Sequence, residues 1–296
     1  MSLLEVNGLH VVFRQRFTDK PVLRDISFKL HQGEVCALVG ESGAGKSMVA
    51  KSILGLLPET TRVRAGEIVF DGQDLLRTRS RKRLQLFGKR IALIPQDPMV
   101  SLNPVRRIGV QMDEAIRLHL RHSKGAARNL SIELLKEVLI NDPERVYDSY
   151  AHELSGGMRQ RVLIAMAFSC GPDLIIADEP TTALDVTVQM QVLKMLRSLQ
   201  LSKNTTILFV SHDLGVVSKV CDRVVVLYDG RIIEDAPVKK IFDSPEHEYT
   251  AALLRATPRY DKPGQAITPV PDELIQRLRQ QTRSVDDARR DTFRRG

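Results

Sequence analysis

Eight consecutive residues carry the most specific chemistry in the chain. In Gly40-Glu41-Ser42-Gly43-Ala44-Gly45-Lys46-Ser47 the glycines are spaced so that the backbone can curl and aim successive N–H groups at phosphate oxygens. Lys46 brings an ammonium long enough to reach a β- or γ-phosphate, and Ser47 offers a hydroxyl oxygen to Mg²⁺. Further along, the apolar run Leu174-Ile175-Ile176-Ala177 ends in Asp178-Glu179. An acid at the carboxyl end of a buried strand lies where open α/β sheets bind ligands. Asp178 suits Mg²⁺, held through water, and Glu179 suits a base that orients or deprotonates an attacking water. Together the two stretches imply a nucleoside triphosphatase.

The elements around these residues are those the chemistry needs. Val35–Val39 reads as a short strand leading into Gly40, and Ser47–Leu57 as a helix leading out, stopped by Pro58. Further strands are predicted at Leu3–Val6, Leu9–Phe13, Ile26–Leu30, Gly66–Phe70, Ile91–Ile94, Leu174–Ala177 and Thr206–Val210. Val224–Tyr228 and Arg231–Glu234 flank Asp229-Gly230, a hairpin signal. Helices are predicted at Gly157–Ser169, Val186–Leu201 and Leu214–Cys221, and their alternation with strands favours a parallel sheet with helices on both faces. From about Asp97 to Asp148 strand signals vanish, and Gly109–His122 and Ala126–Val138 show helical spacing, so this stretch reads as a helical insertion. After Pro258 the chain becomes proline-rich and then charged up to Gly296, with one helix expected at Asp272–Gln281.

Composition narrows the class. The chain has 296 residues and a formal net charge of +8. No apolar run approaches the roughly 18 residues of a spanning helix. Met1–His10 is too short and too mixed for a signal peptide, so the expectation is a cytosolic chain. Cys36, Cys170 and Cys221 are isolated, which points to small buried residues in a reducing compartment rather than a metal site. The densest basic stretch, Arg77–Arg90, is interleaved with a single aromatic, Phe87; this favours a solvated or membrane-facing surface over one that stacks bases.

Leu154-Ser155-Gly156-Gly157-Met158 separates this chain from other triphosphatases. Ser155 is a helix cap, the two glycines permit close backbone approach, and the helix N-terminus attracts a phosphate. A chain that already has one phosphate loop thus has a second phosphate contact. Here the sequence resembles the ATP-binding cassette (ABC) family, whose signature is LSGGQ, with Met158 in place of the usual Gln. The resemblance, over roughly residues 1–258, implies an α/β P-loop NTPase fold: a RecA-like core, an N-terminal antiparallel β subdomain and an inserted α-helical subdomain. It places the catalytic core at 1–96 and 155–257, the helical subdomain at 97–154 and a charged tail at 258–296. It implies ATP and Mg²⁺ as ligands, held by Gly40, Glu41, Ser42, Gly43, Ala44, Gly45, Lys46, Ser47 and Asp178. By the same resemblance Gln96 is the Q-loop residue that senses Mg²⁺ and the attacking water, Asp185 belongs to the D-loop, and His212 is the switch histidine at the γ-phosphate. Ser155, Gly156, Gly157 and Asp185 would contact ATP on a second cassette in a head-to-tail dimer. Phe17 is the candidate for stacking on adenine, with Phe13 as its neighbour and rival.

A finer resemblance is to the ATPases of the oligopeptide, dipeptide and nickel importers. It rests on Gln96-Asp97-Pro98-Met99 continuing through Ser101-Leu102-Asn103-Pro104, on Gly156–Ala167, on Ala177–Gln189, and on His247-Glu248-Tyr249-Thr250, where that group usually has HPYT. It implies a peripheral subunit on the cytoplasmic face of the inner membrane, powering uptake of peptides or a related small solute. Its implied partners are a second ATPase subunit (a heterodimer ahead of a homodimer), two membrane permease subunits and an extracytoplasmic solute-binding protein. No iron–sulfur cluster is expected, because no cysteine follows Cys221, and no nucleic acid. The weighed alternative is a nucleic-acid-associated ABC ATPase of the repair or translation class.

Overall fold

The computed structural model describes residues 2–15, 19–182, 184–257 and 268–294. In chain order the elements begin β1 (Ser2–Phe13), β2 (Lys20–His31), β3 (Val35–Val39), α1 (Lys46–Leu54), β4 (Thr61–Phe70), β5 (Gln73–Asp74), α2 (Ser80–Leu86) and β6 (Ile91–Ile94). A helical stretch follows: α3 (Pro98–Ser101), α4 (Ile108–Leu120), α5 (Lys124–Glu137), α6 (Pro143–Asp148) and, after a short 3₁₀ turn, α7 (Gly156–Phe168). Then come β7 (Leu174–Asp178), α8 (Val186–Lys203), β8 (Thr206–Ser211), α9 (Leu214–Val220), β9 (Arg223–Tyr228) and β10 (Arg231–Pro237). The chain closes with α10 (Val238–Asp243), α11 (Glu248–Ala256) and α12 (Asp272–Arg294).

These elements form two compact units. One comprises Leu4–Lys29, Cys36–Phe70 and Ser211–Gly296, and it holds the phosphate loop. In it β1 pairs antiparallel with β4, from Leu4↔Phe70 to Phe13↔Thr61, with register shifts between Asn7 and Val11. β3 runs parallel to β9, and β9 antiparallel to β10. All five β3 residues are buried, as a strand covered on both faces requires. Ala37, Val39, Val224, Val226 and Tyr228 of these strands share a core with Tyr249 of α11 and with Leu274 and Leu278 of α12.

The other unit comprises Met1–Leu3, Leu30–Val35 and Asp71–Val210. Its strands β6, β7 and β8 are parallel, with Ile94 opposite Ala177 and Asp178 opposite Val210. Several of its helices start on side-chain caps: Ser123 accepts from Ala126 N, Asp142 from Arg145 N, and Ser155, as the sequence implied, from Met158 N. The helical stretch α4–α6 is pinned by one buried carboxylate. Asp113 accepts hydrogen bonds from Ser131 Oγ (2.7 Å) and from Tyr147 Oη (2.7 Å).

Local reading and structure differ at several places, three of them instructive. Helix α1 ends at Leu54, three residues short of the expected Leu57, because Gly55 takes the left-handed conformation (φ 68°) and its N–H caps Lys51 and Ser52 carbonyls. The two strands expected before Phe13 are one, with Gly8 absorbed where the register to β4 shifts. The C-terminal helix runs to Arg294 rather than ending at Gln281.

Burial, and then the Asp113 carboxylate, push the Tyr147 phenol up to about 12, so it keeps its proton at neutral pH and stays a donor. Tyr147→Phe removes that donor from a buried carboxylate. Urea unfolding is expected to show a loss of about 1–3 kcal/mol.

Candidate nucleotide site

The phosphate loop is shaped by close backbone approach. A Cβ at Gly40 would lie 2.2 Å from Leu227 O of β9, so only glycine lets the chain leave β3 along that path. The N–H groups of Met48 and Val49 both reach Gly45 O at 3.0 Å, which starts α1. Ser42, Gly43 and Ser47 are exposed, while Ala44 and Gly45 are buried. Lys46 is 6% exposed, and its ammonium donates to Gly40 O (2.7 Å) and Glu41 O (3.0 Å). The cation is therefore held over the loop's own main chain, in position for an anion there. The helix N-terminus adds its partial positive charge.

The acid pair follows from strand register. Ile94 of β6 is opposite Ala177 of β7, so Gln96 and Glu179 leave adjacent parallel strands at the same level. Gln96 Nε2 donates to Glu179 Oε2 at 2.8 Å, and Thr182 Oγ1 donates to the same oxygen at 3.2 Å. Glu179 itself takes a left-handed φ of 47°, and its N–H donates to Val210 O (2.9 Å). A non-glycine residue in that region is strained, and the surrounding hydrogen bonds over-determine it. Asp178 ends β7 and is half-buried. The arrangement fixes one carboxylate by two neutral donors and leaves it half-exposed, as an acceptor for a proton from water requires.

The signature residues line a separate cavity of 890 Å³, which Ser155, Gly156 and Gly157 share with Asp185, Arg145 and Arg161. Ser155 caps α7 as expected. Asp185 caps α8, its carboxylate accepting from Thr187 N (3.1 Å) and Val188 N (3.0 Å). Arg161 braces the cavity wall, donating to Leu139 O (2.9 Å) and Gln191 Oε1 (3.1 Å).

His212 is exposed just past β8, beside Asp213, which caps α9. Phe17 and Ala183 lie outside the described residues. Sequence reasoning missed Thr182 as the second donor to Glu179; its signal was a hydroxyl residue three positions after the acid, within reach of a turn.

Comparison with known proteins decides the family. The model for the ABC transporter family matches residues 23–182, and that for the oligopeptide/dipeptide transporter C-terminal region matches 233–282. The chain belongs to the ABC transporter ATP-binding family. It is an ABC ATPase coupled to transport. The chain is 45% identical over 279 residues to the probable peptide ABC transporter ATP-binding protein y4tR of Sinorhizobium fredii, covering 94% of this chain and 83% of the relative. It is 46% identical over 270 residues to the probable D,D-dipeptide transport ATP-binding protein DdpD of Escherichia coli, covering 91% and 82%. Among solved structures, the dimeric post-hydrolysis state of the ATP-binding cassette MJ0796, bound to ADP and Pi, matches with a TM-score of 0.71 at 24% identity, covering 79% of this chain and 98% of that one; it shows the shared fold. The C-terminal match carries the family past residue 258, into α12 of this cassette. Among the described residues no helix is long and apolar enough to cross a membrane.

Gly40→Ala places a methyl against the Leu227 carbonyl and pushes the loop off β9. The variant is expected to lose about 1–3 kcal/mol of stability. Its ATP affinity, read by isothermal titration, should fall by at least about tenfold.

Proposed function

We propose that the chain is the ATP-hydrolysing subunit of an importer for peptides or a related small solute. The observation that carries this reading is the Ser155-capped start of α7, opening with Gly156 and Gly157 onto a cavity, in a chain that has its own phosphate loop. A second phosphate contact of this kind suits ATP held by another cassette. ATP would lie on Gly40–Ser47, with Ser155, Gly156, Gly157 and Asp185 serving the partner's ATP and Phe17 serving the adenine. The names of the relatives, peptide and dipeptide transport proteins, support a peptide-class solute. The nucleic-acid alternative finds no support among them.

The residues suit Mg²⁺. Ser47 offers a hydroxyl and Asp178 a carboxylate, both hard oxygen donors, and Gln96 keeps its side-chain carbonyl while its nitrogen is on Glu179. Mg²⁺ takes most of its ligands from phosphate and water, so one or two protein oxygens suffice. Bound there, the ion neutralises charge on the phosphates. Lys46 does the same from the loop, Glu179 receives the proton of the attacking water, and His212 contacts the γ-phosphate. Positioning and electrostatics thus supply the rate.

In this reading 1–96 and 155–257 form the catalytic core, 97–154 the helical arm and 258–296 the tail. The subunit works as a dimer, a heterodimer ahead of a homodimer, on the cytoplasmic face of the inner membrane. Two permease subunits dock beside Gln96 and the helical arm, and a solute-binding protein delivers cargo from outside.

Glu179→Gln preserves the donors around the side chain and removes the base. Turnover is expected to fall about 10²–10⁴-fold with ATP binding retained. Normal turnover in a phosphate-release assay would refute the assignment of Glu179.

A further inference from the structure

The C-terminal region reaches the phosphate loop by two independent routes. The first runs through α11. Glu234 of β10, 7% exposed, accepts hydrogen bonds from Glu246 N (2.8 Å) and His247 N (3.1 Å). His247 Nδ1 then caps the helix by accepting from Tyr249 N (3.1 Å). These contacts fix Tyr249, which is 0% exposed and tilted against Tyr228 of β9 with ring centroids 4.5 Å apart. The Tyr249 hydroxyl is sheltered and has no hydrogen-bond partner within range among the described residues. Leaving a buried hydroxyl unpaired is costly, so its retention calls for a partner. The Glu41 carboxylate, on the second residue of the phosphate loop, bears on it: burial first, and then that carboxylate, push the phenol well above its usual range.

The second route runs through α12. Leu274 and Leu278, one turn apart, enter the core that contains Tyr249, and Tyr228 Oη donates to Ile275 O (3.3 Å). Glu248, standing where the resembling importers have proline, pairs with Arg277 and so ties α11 to α12. Farther along, the Asp286 oxygens lie 3.0 and 2.9 Å from Arg24 Nε, with side chains only 14% and 11% exposed. The same guanidinium donates to Asp229 O (2.5 Å), and Arg24 N donates to Gly230 O (2.7 Å). Gly230 N in turn donates to Ala44 O of the phosphate loop (2.9 Å).

We propose that helices α11 and α12 clamp the phosphate loop in its ATP-binding shape, with Tyr249 and Asp286 as positioning residues. Tyr249 does so by donating to Glu41 when the loop carries the triphosphate. Asp286 does so by holding Arg24, and through it the Asp229–Gly230 turn, against Ala44. The inference rests on the reading of Gly40–Ser47 as the ATP loop. Neither residue touches the reacting atoms, so each acts on ATP affinity and not on the chemical step.

The test uses the full chain, with ATP affinity by isothermal titration, turnover by phosphate release, and thermal melting. Tyr249→Phe keeps the ring and deletes only an unpaired hydroxyl; a merely structural role predicts an unchanged or raised melting temperature and unchanged ATP affinity. The clamp predicts a rise of roughly three- to tenfold in the Kd for ATP, with kcat within about twofold. Asp286→Ala should give a similar rise, and Asp286→Glu should restore affinity. Lys46→Ala is the control for the loop. If Lys46→Ala loses ATP while Tyr249→Phe and Asp286→Ala bind it normally, the clamp is overturned and the loop reading stands. If Lys46→Ala binds ATP normally, the loop reading fails and takes the clamp with it. Should Asp286→Ala unfold, Tyr249→Phe decides alone, and a fall in kcat at unchanged affinity overturns the proposal.

Discussion

The phosphate loop is held by main chain, and the rest of the nucleotide chemistry depends on that. Gly40 passes Leu227 O too closely for any side chain, and Gly230 N bonds Ala44 O at 2.9 Å. A Cβ at Gly230 would itself lie 2.1 Å from Val22 O. Backbone contacts of this kind leave little freedom for the loop to relax, so its path is set before a phosphate arrives. Preorganisation matters because dipoles that need no reorientation stabilise charge best. Lys46 adds an ammonium already lodged over Gly40 O and Glu41 O and sheltered from water.

A second constraint governs the Glu179 carboxylate, the base of the proposed function. The parallel register of β6, β7 and β8 delivers Gln96, Asp178 and Glu179 at one level, and Glu179 turns left-handed to stay there. Gln96 and Thr182 then converge on one oxygen of its carboxylate. A glutamine on that oxygen makes the base sensitive to where Gln96 sits. In the proposed function the permease subunits dock beside Gln96, and this hydrogen bond would give their movement a direct route to the proposed base, Glu179.

Much of this was legible in the sequence because its determinants are local. The glycine pattern of 40–47, the apolar strand before Asp178 and the cap Ser155 each depend on neighbours within a few positions. What was not legible depends on distant partners. The Gln96–Glu179 bond follows from strand register, which no local pattern prints. Gly8 punctuates the N-terminal pattern and reads as a break, yet its N–H finds Ser27 Oγ at 2.8 Å and the strand continues. The charged stretch after Gln281 reads as loosely ordered until Asp286 is seen on Arg24. Glu248 reads as a lapse from the importer pattern until Arg277 is found opposite it. Asp185 shows the reverse: its capping of α8 accounts for the side chain locally, and its role toward a partner's nucleotide stays a matter of family resemblance.

The central claim is that this ATPase drives a membrane transporter through separate subunits. Affinity purification of the tagged chain from detergent-solubilised membranes of its native host, followed by mass spectrometry, tests it most directly. Two polytopic membrane proteins and a second ATP-binding cassette are expected in stoichiometric amounts. Recovery with ribosomes or DNA, and without membrane subunits, would contradict it.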